Sequence, residues 1–123
     1  MSKEFDVVIW GATGFTGRLV VEYILSSYGD SPPFTWAVAA RNEKKLDDVL
    51  STLSSKYPSA KNLPKIIADS FDRTSLDNMT KRSKVVCTTV GPYSKYGSEL
   101  VASCIEHATH YCDLTGESPF VKE

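Results

Sequence analysis

A short apolar run, Phe5-Asp6-Val7-Val8-Ile9-Trp10, leads directly into Gly11-Ala12-Thr13-Gly14-Phe15-Thr16-Gly17. The glycines follow a G-x-x-G-x-x-G spacing, related to the G-x-G-x-x-G turn of dinucleotide-binding units but not identical to it. A strand before the turn and a helix after it give such a spacing its value. In that setting Gly11 adopts a backbone conformation that a side chain obstructs. Gly14 lets a pyrophosphate approach the main chain, and Gly17 lets the helix pack close to the strand. The helix opening at Phe15 offers free N–H groups and a partial positive charge to phosphates. Ala12 lies within the turn, and the hydroxyls of Thr13 and Thr16 add donors. The segment therefore reads as a dinucleotide-phosphate cradle. The competing reading is an ordinary tight turn between strand and helix.

The rest of the chain alternates β-branched runs with helical stretches, the pattern of a parallel sheet. Further strands are expected over residues 34–40, 65–68, 84–90 and 109–114. The first helix is expected over 15–27, with Leu19, Val20, Tyr23 and Ile24 on one stripe. Asn42 is the expected cap of a helix over 43–56, and Asp72 of a helix reaching Arg82. A helix over 96–108 and a cut-off first turn over 118–123 complete the series, and 57–64 reads as a polar connection. Strands joined by helices do not form hairpins. Right-handed crossovers place the five in an α/β, doubly wound parallel sheet of Rossmann type. The expected strand order is 3-2-1-4-5, in three α/β/α layers. At 123 residues the chain is expected to be a single domain.

Ligands of such sheets bind beyond the C-terminal strand ends, at the switch point between strands 1 and 4. NAD-binding units place a carboxylate at the end of strand 2 for the ribose 2′-hydroxyl. Here Ala37-Val38-Ala39-Ala40 is followed by Arg41, whose planar cation suits a phosphate or stacks on adenine. Lys44 and Lys45 follow one turn later. The pattern favours NADP over NAD. The competing reading leaves Arg41 in solvent and lets Glu43 reach the ribose. Asp69, after strand 3, either accepts from the adenine amino group or caps the following turn. Val90-Gly91-Pro92-Tyr93 follows strand 4, on the nicotinamide side of the crevice. Gly91 permits close backbone approach, Pro92 fixes the turn, and Tyr93 either reaches the ligand or only packs. Asp113 and Glu117 either shape the substrate side or cap the last helix.

Other motifs lead nowhere. Tyr57-Pro58-Ser59-Ala60-Lys61 matches the Tyr-x-x-x-Lys pair of short-chain dehydrogenases, but it precedes strand 3 instead of following strand 5. Cys104, His107, His110 and Cys112 are close in sequence. A helix, a tight turn and a strand separate them, so no metal site is assigned. Lysine plus arginine total 14 against 15 acidic residues, which gives no general attraction to nucleic acid. The 3 cysteines suit a reducing, cytoplasmic compartment. The N-terminus carries no long apolar stretch of a secretory signal.

Taken together, GATGFTG at 11–17, AVAARNEKKL at 37–46, VVCTTVGPYSKYG at 85–97 and THYCDLTGE at 109–117 resemble the N-terminal domain of saccharopine dehydrogenase-like oxidoreductases. That group includes the trans-acting enoyl reductases. The resemblance covers nearly the whole chain. It implies an NADP-type Rossmann domain in which Gly11, Thr13, Gly14, Phe15, Thr16 and Gly17 form the phosphate turn. It also implies Arg41 as the adenosine-phosphate contact and Gly91, Pro92 and Tyr93 as the wall beside the nicotinamide. Family members add a second domain for substrate and dimer contacts, and this chain is expected to lack it. The resemblance thus implies hydride transfer between NADPH and an organic small molecule, with a lipid-linked enoyl group and lipid metabolism in view. It leaves open a homodimer or a lipid-surface contact of the longer protein. The isolated chain is expected to be inactive. The alternative is a non-catalytic module that senses NADP(H).

Overall fold

The computed structural model describes residues 4–28, 32–69, 72–88 and 98–113. In chain order these form β1 (Phe5–Trp10), α1 (Phe15–Tyr28), β2 (Trp36–Ala40), α2 (Glu43–Ser54) and a 3-10 turn (Pro58–Asn62). There follow β3 (Lys65–Ile67), α3 (Arg73–Thr80), β4 (Ser83–Thr88), α4 (Ser98–Glu106) and β5 (His110–Asp113). All pairings are parallel, and the sheet runs β3-β2-β1-β4-β5. This is the doubly wound order expected from the crossovers.

β1 and β2 bury both faces, which is why they read as apolar runs with little polar alternation. Val8 and Trp10 join Ala37, Ala39 and Ile66 in a core with Leu76 and Met79 of α3 and Leu100 and Cys104 of α4. Ile9, Val38 and Ala40 point the other way, into a core with Val21 and Leu25 of α1 and Leu46 and Leu50 of α2. The alternation along β1 and β2 thus separates three layers. Both expected caps form. Asn42 Oδ1 accepts from Lys45 N–H at 3.0 Å, and the Asp72 carboxylate accepts from Ser75 N–H at 3.4 Å.

Three expectations need correction. Strand 2 begins at Trp36 and not at residue 34, because Thr35 is taken by Asp6. Asp6 N–H donates to Thr35 Oγ1 at 2.9 Å, and Thr35 N–H donates to Asp6 Oδ2 at 3.0 Å, so ladder pairing starts at Val7 with Trp36. The expected polar connection holds a 3-10 turn whose Ala60 is buried. On α1 the buried row is Gly17, Val21 and Leu25, while Leu19 and Tyr23 are exposed and Val20 and Ile24 only flank the core. Apolar residues occur nearly all round this helix, so periodicity alone leaves its rotation open. The close contact at Gly17 fixes it. The expected last turn over 118–123 lies outside the described residues.

Candidate functional site

The turn after β1 is shaped by two glycines with different duties. Gly11 has a φ of 91°, a left-handed value that a side chain disfavours. Gly17 is buried against the turn itself. A Cβ there would stand 2.8 Å from Gly11 C and 2.9 Å from Ala12 Cα, and closer still to Gly11 O. Only glycine lets α1 begin this near the strand. Gly14 differs from both: it is exposed, and a Cβ would meet Gly11 O at an ordinary 3.5 Å. The protein's own packing does not demand a glycine at position 14, so the space beside it is open to an approaching group.

The turn is tied to its neighbour strand. Gly11 N–H and Ala12 N–H both donate to Ala39 O, at 2.9 and 3.1 Å. Gly14 N–H closes the turn on Gly11 O at 3.1 Å, and the first helical bond runs from Arg18 N–H to Gly14 O at 2.9 Å. Helix geometry therefore leaves Phe15, Thr16 and Gly17 N–H without an acceptor in the preceding turn, and these donors face the end of β1. Thr13 and Thr16 are half-buried beside them, and Ala12 is buried in the α1/α2 core.

One strand over, Arg41 is exposed immediately beyond β2, and no carboxylate occupies that position. Lys44 and Lys45 are exposed in the first turn of α2, as is Glu43. Ala68 N–H donates to Ala40 O at 3.1 Å, which holds the end of β3 and Asp69 next to Arg41. The turn, Arg41 and Asp69 therefore lie at the ends of three adjacent strands, on one edge of the sheet. Asp69 is partly buried. Its N–H donates to Ser75 Oγ at 2.9 Å and its carbonyl accepts from Asp72 N–H at 2.9 Å, while the α3 cap itself is Asp72. Val90, Gly91, Pro92 and Tyr93 lie outside the described residues, as does Glu117.

Other singled-out residues lie elsewhere. Tyr57 and Lys61 precede β3, at the opposite strand end from the turn, and Tyr57 Oη donates to Glu22 Oε2 at 3.4 Å. Cys104 is buried in the α3/α4 core, and Cys112 follows Tyr111, which packs on that same core, so the two thiols serve opposite faces of the sheet. A cluster missing from the sequence reading joins Asp77, Ser103, Glu106 and His107 between α3 and α4. Ser103 Oγ donates to Asp77 Oδ1 at 2.5 Å. Arg73 donates to Asp77 at 2.9 Å and to Glu106 at 2.6 Å. The Ser103 bond, then Arg73, holds the Asp77 carboxyl below the usual carboxylate range. Asp77, Glu106 and His107 are close enough to share one cation, but the Arg73 guanidinium already pairs with both carboxylates. Spacing gives no sign of this cluster, because its members come from two helices.

With this geometry in place, the chain can be set beside known proteins. Residues 7–121 match the family model described as saccharopine dehydrogenase NADP binding domain. The chain belongs to that family. It is therefore an NADP-binding domain, and its coenzyme class is NADP. It is 42% identical over 120 residues to a trans-acting enoyl reductase of Mycobacterium leprae, a match covering 98% of this chain and 27% of that protein. It is 40% identical over 122 residues to a lipid droplet localized protein of Caenorhabditis elegans, covering 98% of this chain and 28% of that one. The chain thus spans about a quarter of the length of these curated relatives. Its fold matches apo saccharopine dehydrogenase (L-Glu forming) from Saccharomyces cerevisiae with a TM-score of 0.67 and 21% identity, over 96% of this chain and 23% of that one. Among the described residues no helix is long and apolar enough to cross a membrane.

Proposed function

We propose that this chain is the coenzyme half of an NADP-dependent oxidoreductase that moves hydride between NADPH and an organic small molecule. In this reading all 123 residues serve the coenzyme domain. Gly11, Ala12, Thr13, Gly14, Phe15, Thr16 and Gly17 hold the pyrophosphate. Gly14 supplies the open approach, and the N–H groups at the start of α1 supply the donors. Arg41 takes the 2′-phosphate as a fixed cation, with Lys44 and Lys45 adding positive potential. Asp69 stands next to it on the adenosine side. Val90, Gly91, Pro92 and Tyr93 are assigned to the nicotinamide side from their place after β4. Bound NADPH supplies the hydride; the chain's own residues bind and orient it. The observation that carries the reading is the juxtaposition of an exposed Arg41 with the glycine turn, across a strand end that lacks a carboxylate.

The relative named an enoyl reductase supports an enoyl substrate for the whole protein. The relative named a lipid droplet protein supports contact with a lipid surface. Three cysteines outside any disulfide suit a reducing, cytoplasmic compartment. Calorimetry of the chain with NADP and with NAD tests the site. A hydrogen bond to a charged group contributes about 1.5–3 kcal/mol. Arg41→Ala is therefore expected to lower NADP affinity roughly ten- to a hundredfold and leave NAD affinity nearly unchanged. Equal losses for both coenzymes refute the phosphate role of Arg41. Saturable NADPH binding by the whole protein without turnover on a broad panel of organic substrates refutes the oxidoreductase reading, and failure on enoyl substrates alone refutes only the enoyl substrate.

A further inference from the structure

Cys87 and Cys112 are register partners in the parallel pair β4–β5. Adjacent strands stand about 4.7–4.9 Å apart, and a disulfide spans Cα separations of about 4.4–6.8 Å. Side chains at paired positions project to the same face. Cys87 packs against the α1/α2 core, and Tyr111 packs against the opposite core, so Cys112 shares the face of Cys87. The Cys112 thiol is near enough to Cys87 to raise its pKa. Both are free and half-buried, in contrast to Cys104, which is fully buried.

We propose that Cys87 and Cys112 are a peroxide-responsive thiol pair that closes into a reversible disulfide across β4 and β5. The co-reactant is a hydroperoxide. Burial, then the charge and hydrogen bond of Cys112, pushes the Cys87 thiol up to about 12. Cys87 packs against the α1/α2 core, whereas Cys112 stands on β5 at the end of the sheet order, so Cys112 is the sulfur that attacks. The Cys112 thiolate takes the outer oxygen of the peroxide. The O–O bond breaks, the sulfur is oxidised to a sulfenic acid, and the peroxide is reduced to water or an alcohol. Cys87 sulfur then attacks Cys112 sulfur. The S–S bond forms, the S–O bond breaks, and the departing hydroxide leaves as water with the Cys87 proton. Overall, two thiols and one hydroperoxide give a disulfide, water, and a second water or the alcohol. Closure must draw the Cβ atoms to about 3.5–4.5 Å, tighter than the relaxed strand spacing, so the bond is readily reduced again.

The test treats the reduced 123-residue chain with one equivalent of hydrogen peroxide and reads intact mass and peptide maps. The expected product has lost two hydrogen atoms, with the Cys87 and Cys112 peptides linked, Cys104 unmodified, and full reversal by dithiothreitol. In Cys87→Ser, dimedone is expected to trap sulfenic acid at Cys112, since no partner resolves it. In Cys112→Ser, thiol loss at Cys87 should slow at least tenfold. The proposal is overturned if the unaltered chain, native by circular dichroism, keeps both thiols. It is equally overturned if that chain accumulates an unresolved Cys112 sulfenic acid or links only between molecules.

Discussion

Two turns among the described residues demand a left-handed residue, and the sequence meets the demand differently. After β1 the position is Gly11, with a φ of 91°. Between α4 and β5 it is Ala108, with a φ of 54°. The second turn closes α4 with a Schellman motif. Thr109 N–H donates to Cys104 O at 2.8 Å, and Ala108 N–H donates to Ile105 O at 3.3 Å. Glycine is the usual residue there, and an L side chain costs about 1–2 kcal/mol. What holds Ala108 in place lies next to it. Buried Thr109 Oγ1 donates to Thr80 O at 2.5 Å and stands 3.1 Å from Ser83 O, tying the turn to the end of α3 and the start of β4. A left-handed alanine survives where side-chain bonds on neighbouring elements over-determine the backbone. The first turn is held by backbone bonds from Gly11 and Ala12 N–H to Ala39 O. Its own neighbours forbid a side chain at Gly17, and the space at Gly14 stays open.

The largest effect should come from filling the first turn where the protein forbids it. Gly17→Val places atoms inside the Gly11 carbonyl, and α1 cannot retreat without opening the core around Val21 and Leu25. Overpacking in a tight site costs about 1–3 kcal/mol and occasionally more. Urea unfolding of this variant should show a loss of at least about 3 kcal/mol. Gly14→Ala is the control. It should alter stability by no more than about 0.5 kcal/mol, as surface changes do, yet weaken NADP measurably by calorimetry. Equal destabilisation by both would erase the distinction between the glycine that serves packing and the glycine that serves the ligand.

Next in size is removal of the support beneath the second turn. Thr109→Val keeps the shape and deletes the hydroxyl, taking its one donor from Thr80 O and its contact from Ser83 O. Losing a buried partner costs about 1–3 kcal/mol. Chemical denaturation should show that loss, and amide exchange should quicken over 105–110 more than in β1. A uniform change across the chain would mean the hydroxyl supports the domain in general and not this turn.

The two turns also differ in how far the sequence announces them. The first is legible because its requirement is written as residue type: three glycines after an apolar run name the turn, the helix start and the sheet edge together. Asn42 and Asp72 announce their helices for the same reason, since a cap acts within three residues of itself. The second turn carries an alanine, and its support comes from Thr80 and Ser83, distant in sequence, so local reading passes over it. The rotation of α1 is hidden in the same way. Four apolar positions suggest one stripe, and a steric contact with Gly11 selects another. The Cys87–Cys112 pairing needs the register of β4 against β5, which no spacing reveals. Arg41 was legible as a cation at the end of a strand, while its place beside the glycine turn depends on the bonds to Ala39 O.

The smallest effect tests whether Ala108 is strained at all. Ala108→Gly removes the left-handed penalty of about 1–2 kcal/mol but returns backbone freedom to the unfolded chain, which costs about 0.4–1 kcal/mol. The difference favours glycine, so the variant should gain about 0.5–1 kcal/mol in urea unfolding. NADP affinity should not move, because this turn lies at the N-terminal end of β5, across the sheet from the glycine cradle. In the Thr109→Val background the gain should remain, since relief of backbone strain does not depend on the hydroxyl that once opposed it. A loss of stability in either background would show that the Ala108 methyl contributes packing worth more than the conformation costs.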